Sequence, residues 1–423
     1  MTVTTAPSPA LPATVLTSAE VRPTALPVDT PASPSPSPAP SPSPPPPAAS
    51  LTGTVRLISS FPRGGAASER IESLEHAIQM AVQDRGGRVG GAAIDYQALD
   101  DGVPGTAEFD AGLLEANAKK ASDDADVVAF IGPFSSDAAR VAVPILNRAG
   151  VLTVSPSASD PYLTRDSAGP DELARLYPTG QRTLIRVAPS DDVQGRAAAK
   201  WLSRLGVRTV VVLRDRDRFG GLLAESFRVA ALGLGLTVVM GPERAQIDGA
   251  ELEEQLRWIV TLRPDAVYVA GIADAGVGIL LHRLREALGG ATRLVGPDGL
   301  YDDLLGSEVG AGELLVTVGV IPPSRLPATG QTWRARYVAA HGAEPDAYAA
   351  YAYEAASLAL DAVERTGTRD RATVRAAAFG LGQRNGPLGT WSVNSVGESS
   401  LESVYGIAIR DGRPDPTSGT LIE

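Results

Sequence analysis

The sequence predicts an α/β fold with two doubly wound parallel-sheet lobes, and three observations support this prediction. The chain has 423 residues, which is too many for one hydrophobic core. From residue 51 onward, short apolar runs alternate with amphipathic segments of helix length. Parallel strands that are covered by helices on both faces produce this alternation. The number of strand-helix units exceeds what one sheet holds comfortably, so we expect two sheets.

The first fifty residues differ in composition from the rest of the chain. They contain 15 of the 34 prolines and end in Pro-Ser alternation followed by four consecutive prolines. Such a segment lacks the aromatic and branched side chains that build a core, so residues 1–50 are predicted to be a disordered, extended linker. A docking ligand for a partner domain is the less favoured interpretation, because few charges flank the prolines.

The predicted folded part begins with a strand at 54–59, where polar and apolar residues alternate. A helix follows, with Ile71, Leu74 and Ile78 on one face. Further elements of the first half are strands at 92–99, 127–131 and 151–154, and helices at 107–121 and from Ser135. Later strands are predicted near 208–213, 236–240, 266–270 and 315–320. Because ligands bind beyond the carboxyl ends of parallel strands, the loops after these strands are the candidate sites.

Composition disfavours several classes of function. The formal charge is −11, so a nucleic acid would be repelled on average. There is no cysteine, which removes disulfides, thiolate nucleophiles, zinc-thiolate sites and lipid attachment through a cysteine in the chain as given. Only three histidines occur, and neither a phosphate-binding loop nor a nucleophile elbow is present. We therefore expect no catalytic residue, no metal and no cofactor.

Neither an export signal nor a membrane span is visible in the sequence. The first basic residue is Arg22, and no stretch approaches the roughly 20 apolar residues of a membrane-spanning helix. A proline-rich linker often holds a folded body away from a membrane or a cell wall. We therefore expect an extracytoplasmic protein whose export signal is not visible in this chain.

Three predicted strand-end loops are rich in hydroxyls or carboxylates. The loop GPFSSD at 132–137 leads into a helix, where capping explains one serine and the second is available for a ligand. The loop SPSASD at 155–160 is small and polar, with an ordinary turn as the alternative. In GPDG at 296–299 a carboxylate stands at a strand end, although a β-turn favours the same residues. Hydroxyls on one lobe and a carboxylate on the other have the polarity to hold a zwitterion.

The order of these motifs resembles that of type I periplasmic binding proteins, especially the branched-chain amino-acid (Leu/Ile/Val)-binding proteins of ABC transporters. The resemblance covers the chain from about residue 51 to the end. The stretches that carry it are FIGPFSS at 130–136, GVLTVSPSAS at 150–159, RDRDRFG at 214–220 and VGPDG at 295–299.

This resemblance implies two lobes that are joined by a three-strand hinge and close over a ligand. The N-terminal lobe is expected at 51–186 plus 321–388, and the C-terminal lobe at 187–320 plus 389–423. In relatives, hydroxyls and amides of the first lobe hold the carboxylate of the ligand, and an acid of the second lobe holds its ammonium. The first group corresponds to Ser136, Ser157, Ala158 and Ser159, and the acid corresponds to Asp298.

Phe219 and Ile272 are expected to line the pocket for the ligand's side chain, with a core-edge aromatic as the alternative for Phe219. Two departures from the family pattern concern the size of the ligand. Aspartate stands at 298, where relatives often have glutamate, and residues 271–274 lack an aromatic that is common in relatives. A different or bulkier ligand than leucine therefore remains open.

The resemblance implies a non-enzymatic monomer that captures an amino acid or a similar small zwitterion and delivers it to an ABC transporter permease. The alternative is a ligand-sensing domain of the same fold in a signalling or regulatory system. Both share the same physics, because a ligand that prefers the closed form shifts the population in either setting.

Overall fold

The computed structural model describes residues 14–16, 51–166, 169–215, 218–241, 245, 249–272, 275–300, 313–410 and 413–422. In this part of the chain the main architecture is two large, mostly parallel sheets flanked by helices, which confirms the predicted α/β fold class. Thr14–Leu16 forms strand β1. Apart from this strand, the predicted linker at 1–50 lies outside the described residues.

The first sheet has six strands in the order β3-β4-β2-β5-β6-β7. Their bounds are β2 Thr54–Phe61, β3 Arg88–Val89, β4 Ala92–Asp100, β5 Val127–Ile131, β6 Leu152–Ser155 and β7 Leu184–Arg186. All neighbours pair in parallel except β3, which is antiparallel to β4. Only two residues separate β3 from β4, and a parallel crossover needs about a dozen.

Four helices follow strands of the first sheet: α1 Ser68–Gln83, α2 Ala111–Asp123, α3 Ser136–Arg148 and α4 Pro170–Leu176. The predicted apolar face of α1 is confirmed, because Ile71, Leu74 and Ile78 are fully buried. Helix α2 begins four residues later than predicted, since the Asp110 side chain accepts a hydrogen bond from Leu113 N and caps the helix there.

The second sheet has eight strands in the order β1-β9-β8-β10-β11-β12-β15-β16. Its further bounds are β8 Thr209–Arg214, β9 Thr237–Met240, β10 Ala266–Ala270, β11 Arg293–Gly296, β12 Glu313–Val318, β15 Tyr405–Arg410 and β16 Arg413–Leu421. The central strands β8 to β12 are parallel, whereas β1, β15 and β16 are antiparallel to their neighbours. The second sheet is therefore mixed, with a parallel centre and antiparallel strands at its edges.

The helices of the second lobe are α5 Asp191–Arg204, α6 Arg218–Gly233, α7 Gly249–Leu262 and α8 Ala275–Leu288. Later elements are α9 Ala328–His341, α10 Ala349–Thr366, α11 Arg371–Phe379 and the hairpin strands β13 Arg384–Gly386 and β14 Gly389–Trp391. Helix α10 packs against α1, so this part of the chain returns to the first lobe. Among the described residues, no helix combines the length and the apolar character needed to cross a membrane.

The sequence predicts the first two lobe crossings at 186/187 and 320/321; β7 of the first sheet ends at Arg186, and β12 of the second sheet ends at Val318. The third crossing is predicted at 388/389, but Glu398 still bridges to Arg186 at the edge of the first sheet. Their side chains form an ion pair of 2.7 Å, and Ser399 Oγ donates to Val187 O at 2.7 Å. We propose on these contacts that the third crossing lies near residues 400–404.

Candidate ligand-binding cleft

A cavity of about 1360 Å³ lies between the carboxyl ends of the strands of the two sheets. Six of the seven residues predicted from the sequence line it: Ser136, Ser157, Ser159, Phe219, Ile272 and Asp298. They come from both lobes and from loops that are distant in the sequence. The cavity is therefore an interlobe cleft, and it brings these residues together.

The two serine loops of the first lobe are bound to each other. Ser135 caps α3 by accepting a hydrogen bond from Ala138 N. Ser136 Oγ accepts hydrogen bonds from Ser159 N at 3.2 Å and Asp160 N at 3.0 Å. A hydroxyl has one proton to donate as well as two acceptor sites. Ser136 therefore retains a donor that can point to a ligand.

Ser157 and Ala158 make different contacts, although they are neighbours. Ser157 lines the cleft, and its Oγ donates to Phe134 O at 2.6 Å. Ala158 is 1% exposed and packs in a core cluster with Val143 and Leu163. Its amide donates to Ser155 Oγ at 2.9 Å. Ala158 therefore shapes the loop and, unlike the other six predicted residues, does not line the cleft.

Asp298 enters the cleft from the second lobe, directly after β11. It accepts hydrogen bonds from Gln194 Nε2 at 3.0 Å and from the Tyr348 hydroxyl at 3.4 Å. Burial raises the pKa of the Asp298 carboxyl, and the two donors oppose this effect only in part. Tyr348 belongs to the first lobe, so this contact also spans the cleft.

A second buried carboxylate, Asp191, lies close enough to Asp298 for the two charges to repel each other. It is the first residue of α5, is 2% exposed and lines the cleft. Burial raises its pKa to about 8, and a hydrogen bond from Ser159 opposes the rise. Its Oδ1 has no hydrogen-bond partner among the described residues. We refer to Asp191 and Asp298 as the carboxylate pair.

An apolar wall stands beside the carboxylate pair. Phe219, in the first turn of α6, packs over Gly299, where an added Cβ would come within 2.8 Å of the ring. Glycine at 299 therefore lets the aromatic ring approach the Asp298 loop. Opposite, the rings of Phe134 and Tyr348 meet edge to face with their centroids 5.5 Å apart. Ile272 lines the same cavity and is about half exposed.

Four charged residues at one side of the cleft form an ion network that we call the interlobe clasp: Arg140, Asp160, Glu172 and Arg218. Arg218, from the second lobe, donates to Asp160 at 2.8 Å and to Glu172 at 3.1 Å. Arg140, from the first lobe, contacts the same two acids. Asp160 is only 3% exposed, and two guanidinium groups balance its charge.

Asp191, Tyr348 and the clasp were not predicted from the sequence. An acid in the first turn of a helix is ordinary, because it interacts well with the helix dipole. The signal that was available for Asp191 is its place directly after a predicted lobe crossing. No comparable local signal marks Tyr348, which returns to the cleft 50 residues after Asp298.

The sequence profile of the periplasmic binding protein family matches residues 55–399. The chain therefore belongs to this family, which confirms the resemblance seen in the motifs. The family is one of binding proteins, in agreement with the prediction that the chain is not an enzyme.

Curated relatives have low sequence identity to this chain. An amino acid binding protein of Pseudomonas aeruginosa is 26% identical over 264 residues, which cover 61% of this chain and 65% of that protein. A Leu/Ile/Val-binding protein of Rhizobium johnstonii is 25% identical over 336 residues, which cover 77% of this chain and 83% of that protein. The chain thus spans just under two thirds of the first relative and most of the second.

Solved structures share the fold. One is an ABC transporter substrate-binding protein of Desulfitobacterium hafniense in complex with leucine. It superposes with a TM-score of 0.70 at 23% sequence identity, and the match covers 86% of this chain and 99% of that protein. Another is a solute-binding protein of R. palustris in complex with benzoate. It superposes with a TM-score of 0.65 at 20% sequence identity, and the match covers 88% of this chain and 96% of that protein. At these identities the likeness establishes the fold.

Proposed function

We propose that this chain is the extracytoplasmic solute-binding protein of an ABC transporter and that it captures an amino acid or a similar small zwitterion in the cleft. One observation carries the choice of ligand. The carboxylate pair, Asp191 and Asp298, is buried in the cleft and has only uncharged hydrogen-bond donors among the described residues. A cationic group of the ligand is the missing partner.

Burying a carboxylate without a compensating charge is costly, and the group responds by holding a proton. The raised pKa of both aspartates has this cause. An ammonium group carries three donors and a full positive charge. Placed between Asp191 and Asp298, it replaces the proton and supplies Oδ1 of Asp191 with a hydrogen bond.

The opposite pole of the cleft suits a carboxylate. Ser136 is the first residue of α3, where free backbone N–H groups and the helix dipole favour a negative charge. Its hydroxyl proton has no partner among the described residues, because both its hydrogen bonds there are accepted ones. A small zwitterion thus finds a partner of opposite polarity at each end.

An aromatic acid such as benzoate, bound by a structural relative, fits this cleft less well. It carries a carboxylate but no cation, so it would leave the carboxylate pair uncompensated. The apolar wall of Phe219 and Phe134 accepts a ring or an aliphatic chain equally. The preference for an amino acid over benzoate therefore depends on the ammonium group.

Isothermal titration calorimetry of the full chain tests this proposal. The panel contains L-amino acids, the α-hydroxy acids with the same side chains, and benzoate. We expect at least one amino acid to bind, and its hydroxy-acid counterpart to bind at least tenfold more weakly because it lacks the ammonium. Equal affinity for the hydroxy acid, or preferred binding of benzoate, would contradict the proposal.

The transport role is tested separately in the host. Deletion of the gene is expected to abolish high-affinity uptake of the bound solute, and restoration of the gene is expected to recover it. Uptake that is unchanged by the deletion would favour a sensing role for the same cleft.

A further inference from the structure

Among the described residues, three arginines line the cleft, and one of them differs from the other two. Arg140 and Arg218 each contact both acids of the interlobe clasp. Arg70 makes one contact, from its Nε to Asp346 Oδ2 at 3.3 Å. A guanidinium has five N–H donors, so four of them have no partner among the described residues. The side chain is 41% exposed and faces the cavity.

Arg70 lies at the far end of a continuous wall that begins at the carboxylate pair. The Tyr348 hydroxyl contacts Asp298 Oδ2 at 3.4 Å, and the Tyr348 amide donates to Asp346 Oδ1 at 2.8 Å. Asp346 in turn contacts Arg70. The length of one tyrosine side chain therefore separates the Asp298 carboxylate from the partner of Arg70.

Asp346 orients Arg70 and leaves the outer edge of its guanidinium free. The Asp346 backbone is fixed by a hydrogen bond from its amide to Ser73 Oγ at 2.9 Å. Its two carboxylate oxygens are used by Tyr348 N and Arg70 Nε. The two terminal nitrogens of Arg70 remain, and this fork geometry matches a carboxylate in a bidentate manner.

We propose that Arg70 binds an acidic group at the end of the ligand's side chain, so that the cleft selects acidic L-amino acids over branched-chain ones. This inference rests on the proposed function and names the class of side chain. The ammonium lies at the carboxylate pair, the α-carboxylate lies at Ser136, and the side-chain carboxylate lies at Arg70.

Charge and space both support this class of ligand. An aliphatic side chain would cover the free N–H groups of Arg70 without offering them an acceptor, which costs binding energy. The cavity of about 1360 Å³ exceeds the roughly 300–1000 Å³ of an ordinary small-molecule pocket. A longer side chain that ends in a carboxylate uses this additional room.

Calorimetry on the full chain with L-glutamate, L-2-aminoadipate, L-glutamine and L-leucine tests the inference. We expect the wild type to bind one of the two acidic ligands at least tenfold more tightly than glutamine or leucine. The variant Arg70→Met is expected to lose this preference by weakening the acidic ligand tenfold or more, with leucine affinity unchanged or improved. Arg70→Lys keeps the positive charge but lacks the paired N–H donors of the guanidinium. Its preference for the acidic ligand is expected to lie between those of the wild type and Arg70→Met.

Arg63→Met is the matched control, because Arg63 lies seven residues earlier, pairs with Glu75 and does not line the cleft. Thermal melts establish that each variant is folded. If Arg70→Met does not fold, the test uses Arg70→Lys instead. Binding of leucine as tight as that of the acidic ligands, or an acidic preference that survives the Arg70 substitution, overturns this inference and leaves the proposed function standing. Failure of every amino acid to bind overturns both.

Discussion

Two acidic centres of the same cleft have opposite electrostatic surroundings. In the interlobe clasp, Asp160 is 3% exposed and contacts two guanidinium groups, those of Arg140 and Arg218. In the carboxylate pair, Asp191 is just as buried, but its hydrogen-bond donor Ser159 is uncharged, and the charge of Arg186 offsets burial and the neighbouring acids only in part. Both centres use aspartate at a loop or helix start near the ends of strands.

The difference indicates separate roles for the two centres. The clasp is complete when the lobes meet, because its cations come from both lobes, so it stabilises the closed arrangement. Among the described residues, the carboxylate pair has no guanidinium hydrogen-bond partner from the opposite lobe, and burial raises the pKa of both acids. A buried acid with its counter-ion is a structural feature, whereas one without a counter-ion is a candidate binding group.

The largest effect is expected from Asp298→Asn, which keeps the shape of the side chain and removes its charge. A hydrogen bond to a charged group contributes about 1.5–3 kcal/mol, so amino-acid affinity should fall tenfold or more in calorimetry. Asp137→Asn is the matched control, since Asp137 also lines the cleft but is 74% exposed and pairs with Arg140. Equal losses for the two variants would show that the loss does not come from the buried carboxylate pair in particular.

A smaller effect is expected from Arg218→Met, which removes the second-lobe member of the clasp. Partly exposed ion pairs contribute roughly 1 kcal/mol or less, so affinity should fall up to about fivefold, mainly through faster ligand release. Arg228→Met, on the same helix, breaks a pair with Glu225 within one lobe and should leave affinity unchanged. Stopped-flow release rates separate the two variants, and unchanged release for Arg218→Met would show that the clasp does not hold the lobes together.

The smallest effect is expected from Asp191→Asn on the stability of the ligand-free protein. The folded-state pKa of Asp191 is raised from 3.8 to about 8, so the folded state binds more protons than the unfolded state between these values. Stability from this group therefore falls as the pH rises from about 4 to 8. The melting-temperature advantage of the variant over the wild type should therefore be several °C larger at pH 8 than at pH 5. An equal difference at both pH values would contradict this.

The sequence predicted the parts of the site that follow strands. Because parallel strands end at one edge of a sheet, the loops that carry Ser136 and Ser159 had to lie near each other, whereas the approach of Asp298 from the second sheet was implied by the resemblance. The buried face of α1 could also be predicted from the sequence, because Ile71 and Leu74 repeat at helical spacing.

The remaining parts depend on contacts that no local pattern encodes. Asp191 looks like an ordinary residue in the first turn of a helix, and Tyr348 and Arg70 meet the cleft through contacts to distant segments. Ala158 was expected in the cleft from the resemblance, but its amide is used by Ser155 and its side chain by the core. The antiparallel pairs β3/β4 and β15/β16 follow from connections of two residues that the alternating pattern did not predict.

Proton exchange on ligand binding tests the central claim most directly, because it reports whether a cation displaces the proton of the carboxylate pair. Calorimetry at pH 7 in two buffers that differ in ionisation enthalpy measures it. Since the pKa of Asp191 is about 8, we predict that binding of an amino acid releases up to about one proton from the wild type at pH 7. Asp191→Asn should release clearly less. Binding to the wild type with no release, or with uptake of a proton, would contradict the account.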